Sequence, residues 1–443
     1  MSGSIPAGSW QRTGEYHTRG VPVLHGMRWR RPLCVEEGVS PYHFFPVSLL
    51  QQDGILYVTY FVGGGESACC AIDAQSGTLR WRFTVADRTE DLPDSWIEAV
   101  TDPSRGLSVL YNLSPMVLTA TTAFVGTTCG AVYGLDLSTG QPTWKIDVDE
   151  LKAQLDEETW ESDYDLDVQA VVGNLLLVSS GRSEIYAIDI VERTCLWQDT
   201  SVTFHSSLTL WDQLLYSRYM VDQHGGGSYI YYAYDWHRRQ LVWQSVYYGG
   251  DEDEGSSRED GKDVPIEISM DGYLPLASNT LYVVGCKEPS WRSQEEEEEE
   301  SDSGLQLMAL DARTGEICWT YALDGFEFDG YRRYVTVANG LVYVSQGEHR
   351  CAVDLETHQL RWHHHQPAPP PPELTHSIPV LADGLWYECQ ADGVFLVLDA
   401  LTGEERWTYR FEKPISINRW EPSCLVDDGS VYVIAGTTLY ALH

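Results

Sequence analysis

The chain has 443 residues, of which 43% are hydrophobic, and its 66 acidic against 29 basic residues give a formal net charge of −37 at pH 7. A surface of this sign repels nucleic acid and anionic lipid, and no apolar run of roughly 18 residues is present to span a membrane. The first thirty residues also lack the apolar stretch of a secretory signal peptide. We therefore expect a cytoplasmic protein with no nucleic-acid or membrane partner.

The first predicted element is a short strand near the N-terminus. Residues 1–22 are expected to form a flexible tail, and a single domain is expected to span residues 23–443. The strand lies in Gly26-Met27-Arg28-Trp29-Arg30. Its tryptophan resembles the tryptophans that recur along the rest of the chain.

Seven copies of an internal repeat follow, each with an aspartate and a tryptophan eight positions apart. A fixed spacing inside units of variable length indicates that one structural module has been copied. The pairs are Asp73/Trp81, Asp136/Trp144, Asp189/Trp197, Asp235/Trp243, Asp311/Trp319, Asp354/Trp362 and Asp399/Trp407.

Each repeat contains two turns between short apolar strands. Asp53-Gly54, Asn339-Gly340 and Asp383-Gly384 precede apolar and aromatic runs, and such dipeptides favour the positive φ angles that tight hairpins need. A second turn lies between the aspartate and the tryptophan, often with a glycine four positions after the aspartate, as at Gly77 and Gly315. Each repeat is therefore predicted to be a meander of about four strands, which is one blade of a β-propeller.

The chain ends where an eighth aspartate would be expected, since only His443 follows residues 439–442. The last blade would then lack its outer strand, which the segment around Trp29 can supply. Closure of this kind leaves no open sheet edge. We predict an all-β fold consisting of a single eight-bladed β-propeller of four-stranded antiparallel blades, in which an N-terminal strand pairs with the C-terminal strands.

The repeats resemble those of a known protein family. The run from Ala309 to Trp319 is similar to the tryptophan-docking motif of quinoprotein dehydrogenases, the PQQ-like propellers, with Ala, Asp, Thr, Gly and Trp at the same relative positions. The runs from Gly134 to Trp144 and from Val397 to Trp407 match nearly as well. The resemblance covers nearly the whole chain and implies the fold. It leaves the chemistry open, because the family includes enzymes that bind pyrroloquinoline quinone (PQQ) and non-catalytic relatives such as the lipoprotein of the outer-membrane barrel-assembly machinery.

The repeat tryptophans are interpreted as packing elements that dock one blade on the next, together with the seven repeat aspartates. A buried indole removes about 150–250 Å² of surface from water, which makes it an effective core residue. The alternative is that some tryptophans form a stacking platform for a flat ligand. The predicted docking tryptophans are Trp29, Trp81, Trp144, Trp197, Trp243, Trp319, Trp362 and Trp407.

Four insertions interrupt the repeats, at residues 82–113, 145–168, 244–272 and 285–304. In a four-stranded meander, the connections between blades and between the second and third strands all leave from one face, so the four insertions are predicted to share that face. They hold 33 of the 66 acidic residues and 9 of the 29 basic residues. Such a face is expected to attract a partner with a basic surface, or else to act only as a solvated surface that keeps the protein soluble.

Three aspartates in the second insertion are candidate cation ligands. Asp163, Asp165 and Asp167 alternate along the chain, so in an extended strand their carboxylates point the same way and can supply oxygen atoms to a cation such as calcium. No glycine or distal glutamate completes a calcium-loop pattern. We therefore name these residues as candidates and predict no metal site from them.

Two further clusters carry metal or redox residue types. His363 and His365 are expected on one side of an outer strand and His364 on the other, which allows a divalent site without bringing the ligands together. Adjacent Cys69 and Cys70 invite comparison with the vicinal disulfide of some quinoprotein dehydrogenases. Because they lie in the strand of the repeat, they are predicted to be buried, reduced thiols.

No catalytic spacing of serine, histidine, carboxylate or phosphate-binding residues stands out in the sequence. The interpretation is a non-catalytic, monomeric scaffold without a cofactor, which docks a protein partner with a basic surface through its insertion-bearing face. Two alternatives remain open. One is a dehydrogenase of alcohols or sugars that uses PQQ with calcium, and the other is a propeller that binds a carbohydrate or another small ligand in its axial pocket.

Overall fold

A computed structural model describes most of the chain, and every regular element in the described residues is a β-strand. No helix long and apolar enough to cross a membrane occurs among these residues. The described ranges are 15–33, 44–62, 67–84, 113–128, 130–147, 166–180, 184–201, 208–223, 226–248, 274–285, 305–323, 333–366, 377–390, 392–415 and 423–443.

The strands form eight sheets, seven of which follow one another along the chain as blades one to seven. Two strands, β1 (Glu15–Tyr16) and β2 (Met27–Pro32), precede blade one. Blade one contains β3 (Phe44–Gln52), β4 (Ile55–Val62), β5 (Ser67–Asp73) and β6 (Leu79–Thr84). Blade two contains β7 (Val117–Leu118), β8 (Thr122–Gly126), β9 (Ala131–Asp136) and β10 (Pro142–Asp147). Blade three contains β11 (Leu166–Val172), β12 (Leu175–Ser180), β13 (Ile185–Asp189) and β14 (Thr194–Asp199).

The next four blades repeat the same order. Blade four contains β15 (Thr209–Trp211), β16 (Leu214–Gln223), β17 (Gly226–Asp235) and β18 (Gln240–Tyr248). Blade five contains β19 (Leu276–Ala277), β20 (Thr280–Gly285), β21 (Gln306–Asp311) and β22 (Ile317–Ala322). Blade six contains β23 (Arg333–Ala338), β24 (Leu341–Gln346), β25 (His349–Asp354) and β26 (Leu360–His365). Blade seven contains β27 (Val380–Ala382), β28 (Leu385–Cys389), β29 (Val394–Asp399) and β30 (Glu405–Arg410).

Blade eight closes the ring with strands from both ends of the chain. Its C-terminal strands are β31 (Cys424–Asp427), β32 (Ser430–Ala435) and β33 (Thr438–Leu442). The outer strand is β2, which pairs antiparallel with β33 and places Trp29 opposite Ala441. The predicted eight-bladed propeller and its closure by an N-terminal strand are therefore confirmed.

The hairpin turns follow the dipeptides that predicted them. Asp53 and Gly54 have φ angles of 51° and 75°, and Asn339 and Gly340 have φ angles of 53° and 73°. Positive φ at both central residues gives the turn a twist that matches the flanking strands. These turns lie on the same face of the ring as the turns after the repeat aspartates, which we call the turn face.

The apolar cores lie between blades, because each sheet buries both of its faces against its neighbours. One core joins Tyr343 and Trp362 of blade six to Trp386 and Leu396 of blade seven. Each blade therefore depends on the next for burial of its apolar side chains, as in other repeat proteins.

Blade seven differs from the expected four-stranded pattern because it gains a fifth strand. β1 pairs in parallel with β27, with Glu15 opposite Leu381 and Tyr16 opposite Ala382. Since β27 is the innermost strand of its blade, β1 lies on the axial side of the sheet. Part of the predicted flexible tail, residues 15–22, is thus packed against the ring, and Val21 is only 3% exposed. Residues 1–14 lie outside the described residues.

Candidate functional site

The repeat aspartates organise the turns that join the third and fourth strands of the blades. Asp136 Oδ1 accepts hydrogen bonds from the backbone N–H groups of Ser138 (3.0 Å) and Thr139 (2.9 Å). Asp399 does the same with Leu401 (3.0 Å) and Thr402 (2.9 Å). The same contacts recur at Asp189, Asp235, Asp311 and Asp354, and at Asp73 with the N–H of Ser76. A side chain that replaces a backbone acceptor in this way stabilises a tight turn.

Some of these carboxylates also have lowered pKa values. The hydrogen bond from Arg80, together with those from Ser76, lowers the pKa of Asp73 to about 2. Hydrogen bonds from the hydroxyls of Ser138 and Thr139 lower the pKa of Asp136. A carboxylate that stays ionised and accepts several hydrogen bonds is suited to holding a turn, and it is a poor general base.

The repeat tryptophans reach from one blade to the turn of the next. Trp81 Nε1 donates to the carbonyl of Leu137 (2.8 Å), and Trp243 Nε1 donates to that of Ala312 (2.9 Å). Trp29 and Trp362 make the same bond to Ala74 and Ala400. Each acceptor directly follows the repeat aspartate of the next blade, so one turn receives a hydrogen bond from the preceding blade.

The remaining repeat tryptophans vary this arrangement. Trp144 is buried edge-to-face against Phe124, at a centroid distance of 5.7 Å, and its Nε1 has no acceptor within the described residues. Trp197 packs on the core between blades three and four, and Trp319 on the core between blades five and six. These described contacts favour the packing role over a stacking platform for a ligand.

The position four residues after each repeat aspartate has a positive φ in all seven copies. At four of them the residue is glycine, and a Cβ atom built there would lie 2.5–2.7 Å from the ring of the preceding blade's tryptophan. His358 holds this position in blade six, and its ring stacks on Trp319 at 4.5 Å. In these four copies glycine meets two demands, namely the positive φ of the backbone and the close approach of an indole. The four glycines are Gly77, Gly140, Gly315 and Gly403.

The N-terminal segment supplies the turn that blade eight lacks. Trp407 Nε1, whose acceptor would be the residue after an eighth aspartate, donates instead to the carbonyl of Val21 (2.7 Å). The N–H of Val21 donates to the Tyr387 hydroxyl (2.7 Å), and the N–H of Gly429 donates to the Arg19 carbonyl (2.8 Å). Residues 15–26 therefore run outward across the turn face, from the axis to the outer strand β2.

A buried ion pair joins blades six and seven near the opposite face. Arg350 Nε lies 3.0 and 3.1 Å from the two carboxylate oxygens of Glu388, and the two residues are 2% and 0% exposed. Ser345 and Trp386 donate further hydrogen bonds to Glu388 Oε2, each at 3.3 Å. A paired and hydrogen-bonded carboxylate of this kind holds two blades together, but it is not positioned to take part in acid–base chemistry.

Three histidines gather on the other side of blade six, at the same end of its strands. His349 Nδ1 lies 3.0 Å from His363 Nε2, and His365 Nε2 lies 3.1 Å from Glu348 Oε2. Burial, followed by the charges of the neighbouring histidines, lowers the pKa of His349, and the same two causes lower that of His363. His364 points to the opposite side, toward Arg350 and Glu388, as the alternation of a strand requires.

Sequence reasoning missed Arg350, Glu388, His349 and Glu348 as members of these clusters. The only available indication was the spacing of His349 and Cys351 on one strand and of His363 and His365 on the next. The pairing of His349 with His365 depends on a register that shifts between Ala352 and Val353. A bulge of this kind cannot be located from spacing alone.

The structure tests the other candidate ligands only in part. Asp163 and Asp165 lie outside the described residues, and Asp167 lies on β11. Within the described ranges, no group of three or more His, Cys, Asp or Glu side chains is arranged to hold a metal ion. Cys69 and Cys70 are buried neighbours on β5 and form no disulfide bond, as predicted.

The four insertions also lie largely outside the described residues, but the strand ends that flank them are defined. They follow Thr84 of β6, Asp147 of β10 and Tyr248 of β18, where the chain passes to the next blade, and Gly285 of β20, inside a hairpin. All four exits lie opposite the turn face. We call this side the insertion face.

These features define an eight-bladed propeller of the PQQ-like class, with tryptophans docked on the turns of neighbouring blades. A sequence-family model described as outer membrane protein assembly factor BamB matches residues 130–260 and 229–442, so the chain belongs to this family. The structures of similar proteins agree on the fold. BamB from Moraxella catarrhalis is 14% identical with a TM-score of 0.54, over 95% of this chain and 100% of that protein.

The chain is also similar to two proteins whose names state an enzymatic activity. A quinohemoprotein alcohol dehydrogenase from Pseudomonas putida HK5 is 13% identical with a TM-score of 0.60, over 99% of this chain and 79% of that enzyme. At this level of identity, the likeness concerns the fold. The serine/threonine-protein kinase AfsK of Streptomyces griseus is 38% identical over 139 residues, which are 30% of this chain and 17% of the kinase. The chain thus spans about a sixth of the length of this curated relative.

Proposed function

We propose that the protein is a non-catalytic, monomeric scaffold of the cytoplasm that docks a protein partner with a basic surface on its insertion face. The observation that carries the proposal is the common exit of all four insertions on one face, combined with their charge. These segments contain 33 of the 66 acidic residues and 9 of the 29 basic ones. A concentrated negative field raises the encounter rate with a positively charged partner, and this effect weakens with added salt.

The contacts around the described strands support a structural use of the ring. The repeat tryptophans and aspartates bind the turns of neighbouring blades, and Arg350 is paired with Glu388 between two blades. The family name, outer membrane protein assembly factor, describes relatives that take part in assembly. A ring whose insertions all leave from one face is suited to presenting a binding surface.

Two sets of substitutions of equal charge test the proposal. The first, the insertion-face variant, replaces four glutamates of the insertion that follows Gly285 by glutamine, and the second, the turn-face variant, does so on exposed turns of the turn face. Both sets reduce the negative charge equally and leave the chain length unchanged. The first set is Glu295, Glu296, Glu297 and Glu298, and the matched set is Glu192, Glu316, Glu356 and Glu404.

Partners would be captured from the native cell extract at low and high salt, and the contact sites mapped by chemical crosslinking and mass spectrometry. We expect the insertion-face variant to lose the partner and the turn-face variant to retain it. Crosslinks should map to the insertion face, and capture should decrease at high salt. Equal capture by the two variants, or crosslinks on the turn face, would contradict the proposal.

A quinone-dependent dehydrogenase is the second candidate, supported by the fold likeness to the Pseudomonas enzyme. The described residues do not fit a quinone with a metal ion. No three metal-ligand side chains converge among them, Cys69 and Cys70 form no disulfide, and Glu15 and Tyr16 lie on the axial side of blade seven. Dye reduction by the protein with PQQ, calcium and a panel of alcohols and sugars decides the matter, since turnover would overturn the scaffold proposal.

A further inference from the structure

Blade six presents three histidines on one side of its two outer strands. The register of β25 and β26 places His349 opposite His365 and Cys351 opposite His363. Residues directly opposite one another in an antiparallel pair point to the same side of the sheet, and so do alternate residues along a strand. Cys351 is buried in the core, whereas His363 and His365 are exposed, so the imidazoles stand at the rim where an ion has access.

Two of the three imidazoles already present nitrogen atoms to each other. His349 Nδ1 and His363 Nε2 are 3.0 Å apart, and their rings are parallel within 16°. Two nitrogens bound to one tetrahedral zinc ion, each at about 2.0–2.1 Å, are roughly 3.3 Å apart. The two nitrogens are therefore within a few tenths of an ångström of the separation that a shared ion needs, and the rings must turn so that both lone pairs point at the ion.

The third imidazole has a partner that orients it. His365 Nε2 lies 3.1 Å from Glu348 Oε2, and its ring centroid is 4.7 Å from that of His349. A carboxylate that accepts a hydrogen bond from one ring nitrogen leaves the other nitrogen to bind a metal, and such carboxylates commonly support metal-binding histidines. The His365 side chain is 49% exposed, so it has room to rotate toward the pair.

We propose that His349 and His363 are two nitrogen ligands of a divalent transition-metal ion such as zinc. His365 becomes the third ligand after a side-chain rotation, and Glu348 orients the His365 ring. Imidazole nitrogens are favoured ligands for zinc, copper and nickel. Metal binding needs neutral imidazoles, so the affinity should depend on pH. The site is independent of the scaffold function proposed above.

The test is calorimetric titration of zinc chloride into the full-length chain without an affinity tag, after chelator treatment, at pH 7.5. The variants are His349→Asn, His363→Asn and the double variant, which measures the background of the acidic insertions. His17→Asn is the matched control, because the side chain of His17 is 86% exposed and lies outside the cluster. Thermal melting confirms that each variant is folded.

We expect one zinc ion per chain to bind to the wild type and to His17→Asn with equal affinity. Affinity should fall at least tenfold in each single variant, and Glu348→Gln should weaken it by about 10–100-fold. Binding should also weaken as the pH is lowered, because protons compete with the ion for the imidazole nitrogens. The proposal is overturned if the wild type takes up no zinc, or if the double variant binds zinc as tightly as the wild type.

Discussion

The contact between a turn glycine and the tryptophan of the preceding blade can be measured by comparing two glycines with the same backbone conformation. Gly315 has a φ of 72°, and a Cβ atom there would lie 2.5 Å from Trp243 Cε3 and 2.6 Å from Trp243 Cδ2. Gly340 has a φ of 73°, and a Cβ atom there would meet nothing within 4 Å. The two alanine substitutions therefore impose the same backbone strain, and only the one at Gly315 also brings a methyl group against an indole ring.

The expected loss of unfolding free energy is the sum of a backbone cost and, at Gly315, a packing cost. A left-handed backbone costs an alanine about 1–2 kcal/mol, and this cost applies to Gly315→Ala and Gly340→Ala alike. Overpacking against the indole adds about 1–3 kcal/mol at Gly315 alone. Trp243 cannot move away freely, because it is 9% exposed and its Nε1 is bound to the Ala312 carbonyl. We expect Gly315→Ala to lose about 2–5 kcal/mol of unfolding free energy and Gly340→Ala about 1–2 kcal/mol.

The assay is urea unfolding followed by tryptophan fluorescence, repeated by thermal melting with circular dichroism. Because both substitutions restrict the unfolded chain equally, that contribution cancels in the difference between the variants. The additional variant Trp243→Phe replaces the indole by a smaller ring. Gly315→Ala should therefore lower the unfolding free energy less in that background than in the wild type. Equal destabilisation by Gly315→Ala and Gly340→Ala would refute the reasoning that the Trp243 indole leaves no room for a side chain at Gly315.

Three further predictions concern the ion pair, the repeat aspartates and ring closure. Arg350→Met should cost about 3–5 kcal/mol, because it removes the positive charge that compensates the buried Glu388 carboxylate, and the double variant Arg350→Met/Glu388→Met should recover most of the loss in the same denaturation assay. The pKa of Asp73 is lowered to about 2 in the folded state against about 3.9 in an unfolded chain, so its carboxylate stabilises the fold above pH 4 and this contribution disappears as the pH falls toward 2. The difference in unfolding free energy between the wild type and Asp73→Asn should therefore shrink from pH 5 to pH 2, and a constant difference would count against this role. Deletion of residues 1–31 removes most of β2 and the Val21 carbonyl and exposes the edge of β33, so we expect a lower melting temperature and aggregation, whereas deletion of residues 1–14 should have little effect.

Much of the fold could be predicted from local spacing. The distance of eight residues between Asp73 and Trp81 recurs in seven copies, and Asn339-Gly340 marks a hairpin whose φ angles are 53° and 73°. These features are local because a turn needs its own acceptor and its own positive φ, whatever lies beyond it. Even the closure of the ring was predictable, since a chain of incomplete repeats must cover its last sheet edge.

Other features depend on contacts between segments far apart in the chain, and only the tertiary structure decided them. Val21 accepts a hydrogen bond from Trp407, Arg350 pairs with Glu388 of the next blade, and His349 meets His363 across two strands. No local pattern marks these residues, because each one depends on the register of a strand and on the packing of one blade against another. The sequence by itself determined the repeating unit and the number of blades. The geometry of the ring determined which side chains meet, since pairing energy arises only when distant backbones are brought within hydrogen-bonding distance.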